Sequence, residues 1–141
     1  MGRSRQAARD RGNETQRLLA GWYRKIWPHV QPAGSGSPGR DMLSVPVSIE
    51  AKGRANFDPM NYVRQARGRR RSEDEFPPWA VMRCNGQGEA ALPEWIVLMA
   101  LEDHTALVEE LITLRAGHCG EGCTGWDCTF CKRGSDGTQE G

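Results

Sequence analysis

No apolar run in this 141-residue chain approaches the length needed to span a bilayer. No apolar stretch follows the basic start Met1-Gly2-Arg3-Ser4-Arg5 either, which argues against a secretory leader. Myristoylation is disfavoured because Gln6 stands where Ser or Thr is wanted. A soluble, intracellular protein is expected. Histidine is scarce, and His29 and His104 each lack a sequence partner of catalytic type, so both read as structural. Apolar residues make up only 38% and mean hydropathy is −0.66, while 17 glycines are present, so part of the chain is expected to be loop or tail. No internal repeat is visible. The length leaves room for one domain with one sizeable core.

Charge is present in quantity but unevenly placed. Residues 1–71 carry 15 Lys/Arg against 5 Asp/Glu, and residues 72–141 carry 4 against 13, which conceals a strong polarity beneath a net charge of +1. A basic half suits a polyanionic partner and an acidic half a solvated face, unless the two halves compensate each other across the fold.

Along the chain, residues 1–11 are Arg-rich without apolar period and read as a basic flexible arm. A helix is expected from Gly12 to Trp27, with Asn13 as N-cap, Leu18, Leu19, Trp22 and Ile26 as its buried stripe, and Pro28 as its stop. Glu14 falls in its first turn, where the helix dipole favours an anion. Trp22 and Trp27 are expected to pack this helix on the sheet. "QPAGSGSPGRD" (31–41) reads as a turn-rich loop. Residues 41–45 and 46–52 read as two short strands joined by an antiparallel turn, with Val45, Val47 and Ile49 facing inward and Pro46 at an edge or bend. Asp58 and Pro59 open a second helix to about Arg71, with Met60, Val63 and Ala66 on its apolar side. "SEDEFPP" is an acidic connector, "WAVMRC" (79–84) a strand, "EWIVLMAL" (94–101) the strongest strand, and Asp103 to Leu114 a last helix. The implied class is α/β: a small mixed sheet flanked by helices.

The stretch "GRDMLSVPVSIEAKG" (39–53) places Asp41, Glu50 and Lys52 in otherwise apolar strands. Burying such groups without partners costs several kcal/mol each, on the order of 2–7. Two hard carboxylates at one sheet end suit Mg²⁺ or Mn²⁺, which bind through one or two carboxylates plus water and substrate phosphate. Lys52, two residues past Glu50, lies on the same side of the strand. An ammonium there can position a water or stabilise charge on a reacting phosphate. The plainer alternative is that Asp41 caps a turn and Glu50 pairs with Lys52 or Arg54 on a sheet rim.

A Glu-bearing helix, a loop, an aspartate and then Glu-X-Lys on a strand resembles the PD-(D/E)XK nuclease superfamily. Within it the chain is most like the archaeal-type Holliday junction resolvases and their bacteriophage relatives. The matching pieces are "GNETQRLLAGWY", "AGSGSPGRD", "VSIEAK" and "FDPMNYVRQA", within residues 12–114. Arg40 stands where the family pattern has proline. The resemblance implies a restriction-endonuclease-like fold in residues 12–115. It also implies Asp41, Glu50 and the Ala51 carbonyl as Mg²⁺ ligands, Glu14 orienting a metal-bound water and Lys52 aligning the attacking one. Ser35 would contact substrate or complete the loop, and Gln65 would orient a phosphate. The arginines of residues 1–11 and 64–71, among them Arg3, Arg5, Arg9, Arg11, Arg64 and Arg67, would grip DNA phosphates, with Arg40 and Arg54 beside them.

The segment 116–141 gathers His118, Cys119, Cys123, Cys128 and Cys131 in "GHCGEGCTGWDCTFCKRG". The C-x₃-C-x₄-C-x₂-C spacing can close tetrahedrally on a structural Zn²⁺. Two disulfides, or a tail with incidental thiols, are the alternatives. Cys84, alone in a strand, reads as a small buried hydrophobe.

The expected function is thus a Mg²⁺-dependent, structure-selective endodeoxyribonuclease. It would cleave branched DNA, above all Holliday junctions, in recombination or repair. A homodimer is expected, because paired nicks in opposed strands match two centres related by a two-fold axis. Trp79, Trp95 and "EWIVLMAL" are candidates for an apolar dimer face or for the core. The cytoplasm of a bacterial or phage-infected cell is the expected location. A less selective nicking or restriction-like nuclease, or a non-catalytic zinc-containing DNA-binding protein, are the alternatives.

Overall fold

A computed structural model describes the backbone of residues 2–34, 36–53 and 57–119, with side chains between positions 5 and 115. The elements run α1 (Gly2–Tyr23), β1 (Gln31–Pro32), β2 (Met42–Leu43), β3 (Val47–Lys52), α2 (Pro59–Gly68), β4 (Phe76–Met82), a 3₁₀ segment (Glu89–Glu94), β5 (Ile96–Leu98) and α3 (Leu101–Cys119). They fall into two units, residues 1–101 and a second from Glu102 onward that contains nearly all of α3. The protein is a mixed α/β chain with small sheets flanked by helices, and among the described residues no helix is long and apolar enough to cross a membrane.

Residues 2–11 are the opening turns of α1, not a flexible arm. Ala7 and Ala8 are strong helix formers, and Gln6 Nε2 donates to Asp10 Oδ1 at 2.8 Å one turn on. Solvent exposure hid this helix from an apolar-period reading, since residues 5–11 bury no side chain. The buried face is Thr15, Gln16, Leu18, Leu19, Ala20 and Tyr23. Ile26 lies beyond the helix end and is exposed, as is Trp22, whose ring carries the Lys25 ammonium 3.2 Å from its centroid. Trp27 packs as expected, with its ring centroid 5.4 Å from Tyr23 and 6.4 Å from Trp79 of β4.

The expected antiparallel pairing of residues 41–45 with 46–52 does not form. β2 pairs instead with β1, inside the segment read as loop, and β3 joins a second sheet of order β3-β4-β5. There β3 runs parallel to β4 across the crossover made by α2, while β5 is antiparallel to β4. A parallel strand under a crossover is covered on both faces. This explains why Ser48 and Glu50 are as buried as Val47 and Ile49. Ile49 and Val47 lie in the core with Leu18 and Leu19 of α1. On the other face Tyr62 of α2 packs on Ala80 and Met82.

β4 begins at Phe76, so Pro77 and Pro78 lie inside a central strand. They are tolerated because the ladder slips there: Val47 opposes Phe76 and Ile49 opposes Trp79, and β5 reaches only Ala80 to Met82. β5 itself is three residues rather than eight, preceded by the 3₁₀ segment, with Ile96 and Val97 exposed. Trp79 and Trp95 take the core role. Trp79 Nε1 donates to Tyr23 Oη at 2.9 Å, and Trp95 is buried. α2 starts as expected, with Asp58 Oδ1 accepting from the Asn61 N–H at 3.3 Å and Pro59 at its first position. Met60 is exposed, however, and Tyr62 takes its place in the buried stripe. Cys84 is half-buried beside the Tyr62 cluster.

β3 leaves the sheet at Gly53, where a Cβ would come within 2.4 Å of Thr15 Oγ1 and 3.4 Å of Thr15 Cβ. Thr15 cannot yield easily, being buried with its hydroxyl donating to the Arg11 carbonyl at 2.8 Å. Gly53→Ala is expected to destabilise the protein by about 1–3 kcal/mol through overpacking. A lowered urea midpoint with unchanged slope would show it, and an unchanged midpoint would show that α1 shifts freely.

Candidate active site

Asp41 ends the glycine-rich loop between β1 and β2. Its carbonyl accepts from the Ala33 N–H at 2.9 Å, and the Gly34 N–H donates to Gln16 Oε1 of α1 at 2.9 Å, so the loop is tied down at both ends. Gly34 has φ +91°, a conformation that L side chains rarely adopt.

The Asp41 side chain reaches β3 although the two strands do not pair: Oδ2 accepts from the Ala51 N–H at 2.7 Å. In a strand the N–H and C=O of one residue project to the same side. The Lys52 carbonyl accepts from the Arg83 N–H at 2.8 Å, so Lys52 faces β4 and Ala51 faces the outer edge of the sheet. The Ala51 carbonyl therefore lies on the edge that Asp41 occupies.

Glu50 and Lys52 stand on the α2 side of the same strand. Lys52 Nζ contacts Glu50 Oε1 and lies 5.7 Å from the Tyr62 ring centroid. Arg69, the C-cap residue of α2, brings its Nη1 onto Glu50 Oε2 and to 3.7 Å from Asp41 Oδ1. One guanidinium nitrogen thus touches one carboxylate and approaches the other. Glu50 is 1% exposed. Burial raises the pKa of its carboxyl, the neighbouring Asp41 charge raises it further, and Lys52 and Arg69 pull it back down.

A buried anchor holds this arrangement. Arg40, expected to grip DNA, is 6% exposed and points inward instead. Its Nη1 donates to Glu75 Oε1 at 2.7 Å, its Nη2 to Glu75 Oε2, and its Nε to the Arg69 carbonyl at 3.0 Å. Glu75 also accepts from the Arg71 N–H at 2.9 Å. A single side chain therefore ties the residue before Asp41 to the backbone of Arg69. Arg40 turns inward because a buried guanidinium needs an anion, and Glu75 supplies a bidentate one.

Glu14 does not join the trio. Its carboxylate pairs with Arg83 Nη1 at 2.8 Å, and that hydrogen bond, then the Arg83 charge, holds its pKa below the ordinary carboxylate value. The competing guanidinium is what draws it away, although Arg83 itself is bonded through its N–H to the end of β3. Gln65 is half-buried on α2, four residues before Arg69. Arg5, Arg9 and Arg11 are exposed on α1, and Arg64 and Arg67 on α2. Ser35, Arg54, Cys123, Cys128 and Cys131 lie outside the described residues, as do the side chains of Arg3, His118 and Cys119.

Arg69 was legible only as one of several phosphate-gripping arginines. No local signal separates it from Arg70 and Arg71, and the fold alone turns it inward.

A divalent cation fits these residues. Asp41 and Glu50 already share one positive nitrogen, and the Ala51 carbonyl is on the same edge. Two carboxylates with a carbonyl suit Mg²⁺, which keeps several waters, better than an ion wanting an all-protein cage. Among the described residues, no group of three or more His, Cys, Asp or Glu side chains is placed to hold a metal. No family model matches the chain, and neither does any curated protein or any solved structure.

Proposed function

We propose that the protein is a Mg²⁺-dependent, structure-selective DNA endonuclease of the PD-(D/E)XK type, acting on Holliday junctions as a homodimer. The observation that carries the reading is the meeting of Asp41, from the loop before β2, with Glu50 of β3, the two carboxylates sharing the Arg69 guanidinium while Lys52 contacts Glu50. Asp41, Glu50 and the Ala51 carbonyl would hold the metal. When bound, it supplies Lewis-acid polarisation of the scissile phosphate and acidifies a water. The Lys52 ammonium, oriented by Glu50, donates to the attacking water and stabilises charge growing on the phosphate oxygens. Exposed arginines on α1 and α2 position the DNA backbone without reading sequence. A zinc knuckle on Cys119, Cys123, Cys128 and Cys131 is part of the proposal.

A second reading has an observation of its own. Glu50 and Asp41 are already neutralised by Lys52 and Arg69, which suits a DNA-binding protein that does no chemistry. A labelled synthetic four-way junction, incubated with and without Mg²⁺, decides between them. Paired nicks in opposed strands that need Mg²⁺ and spare linear duplex are the expected result. Equal nicking of the duplex would indicate the less selective nuclease, and binding without any cleavage would overturn the catalytic reading.

A further inference from the structure

We infer that Arg69 is the resident cation of the metal-free site: its guanidinium stands in for the divalent ion and must leave when the ion binds. The inference rests on the metal-centre reading above.

Three observations carry it. The first is position: Nη1 of Arg69 contacts Glu50 and lies 3.7 Å from Asp41, so it occupies the space between the two candidate ligands. The second is charge. Asp41 and Glu50 are balanced by Lys52 and Arg69, so a divalent cation entering that largely buried cluster would leave it with an excess of two positive charges. Like charges at such separations repel strongly at low effective dielectric, so one resident cation must move out. The third is freedom to move. The Arg69 side chain is 32% exposed against 11% for Lys52, which also lies against the Tyr62 ring. The Arg69 backbone, by contrast, is fixed. Its N–H donates to the Ala66 and Arg67 carbonyls, and its own carbonyl accepts from Arg40 Nε. The side chain can therefore swing toward solvent on a stationary pivot.

Neighbouring Arg70 is committed elsewhere, donating to the Glu73 and Glu75 carbonyls at 2.9 and 2.7 Å. Arg69 is thus a positioning residue that sets metal affinity and holds the buried Glu50 and half-buried Asp41 carboxylates together when no ion is present.

The test is Mn²⁺ titration of the full chain by calorimetry, without DNA, on wild type, Arg69→Met, Arg69→Lys and Asp41→Asn. Melting temperatures in EDTA and in saturating Mn²⁺ are measured alongside. Arg69→Met is expected to bind Mn²⁺ roughly tenfold more tightly than wild type, since a competing charge is gone. It should melt below wild type in EDTA and gain more from Mn²⁺. Arg69→Lys, which keeps the charge, should stay near wild type and serves if the Met variant folds poorly. Wild-type binding that Asp41→Asn removes but Arg69→Met leaves unchanged or weaker would overturn the role of Arg69 alone. Absence of Mn²⁺ binding that depends on Asp41 would overturn the metal centre itself, and the inference with it.

Discussion

Glu50→Gln is expected to abolish Mg²⁺-dependent junction cleavage while leaving junction binding within a few-fold of wild type. The substitution keeps the shape of the side chain and removes one of the two carboxylates proposed to bind the metal. It also takes away the anion that orients the Lys52 ammonium. Metal-centred charge stabilisation is worth several kcal/mol, and a loss of about 4 kcal/mol is roughly a thousandfold in rate. Binding should survive because the arginines exposed on α1 and α2 act through phosphates. Single-turnover cleavage and a gel-shift titration on one preparation separate the two effects. Cleavage within tenfold of wild type would show that the chemistry lies elsewhere. The variant should also melt lower than wild type, since Lys52 is left largely buried beside a neutral amide.

Arg40→Met is expected to have the largest effect on stability. It removes the bidentate guanidinium, on a side chain 5% exposed, from Glu75, and it strips the Arg69 carbonyl of its Arg40 hydrogen bond. Breaking a fully buried ion pair from one side costs about 3–5 kcal/mol. Because Glu75 is half-buried and keeps the Arg71 N–H, the loss here is expected at or below the lower end of that range, still a large share of the roughly 5–15 kcal/mol that holds a domain together. Asp41 and Arg69 flank this anchor, so metal binding should weaken even under conditions where the variant is folded.

The same pair predicts an acid dependence. Hydrogen bonding from Arg40 holds the Glu75 carboxyl down from the ordinary 4.5 to about 2. A folded-state pKa below the unfolded one stabilises the protein above the unfolded value and ceases to do so as pH falls. The contribution is therefore whole above about pH 5 and drains away toward pH 2. Urea midpoints of wild type should fall between pH 6 and pH 3, and Glu75→Gln should show a flatter decline from a lower starting point. Parallel declines in the two proteins would remove Glu75 from the account.

Local chemistry made some of this readable in advance. Asp58 followed by Pro59 is a helix start whatever surrounds it, because a carboxylate accepting an orphan N–H and a residue lacking one need no distant partner. Glu50 and Lys52 share a side of β3 because strand geometry alternates. The Arg-rich first turns of α1 were not readable from periodicity, since a helix with no buried face shows no apolar period. Alternation also misled on β3: its polar positions looked solvent-facing, yet α2 covers them.

The sequence by itself determined the supply of groups: two carboxylates and an ammonium within twelve residues, a capped second helix, and arginines concentrated in the first half. The tertiary structure alone decided which of them meet. Asp41 comes from a loop that leads into another sheet than that of Glu50, Arg69 arrives from the end of a crossover helix, and Arg40 and Glu14 are drawn off by Glu75 and Arg83. The reason is that opposite charges competing for buried partners are sorted by distance in the folded chain. Those distances come from long-range strand pairing and packing, which no local pattern of residues encodes.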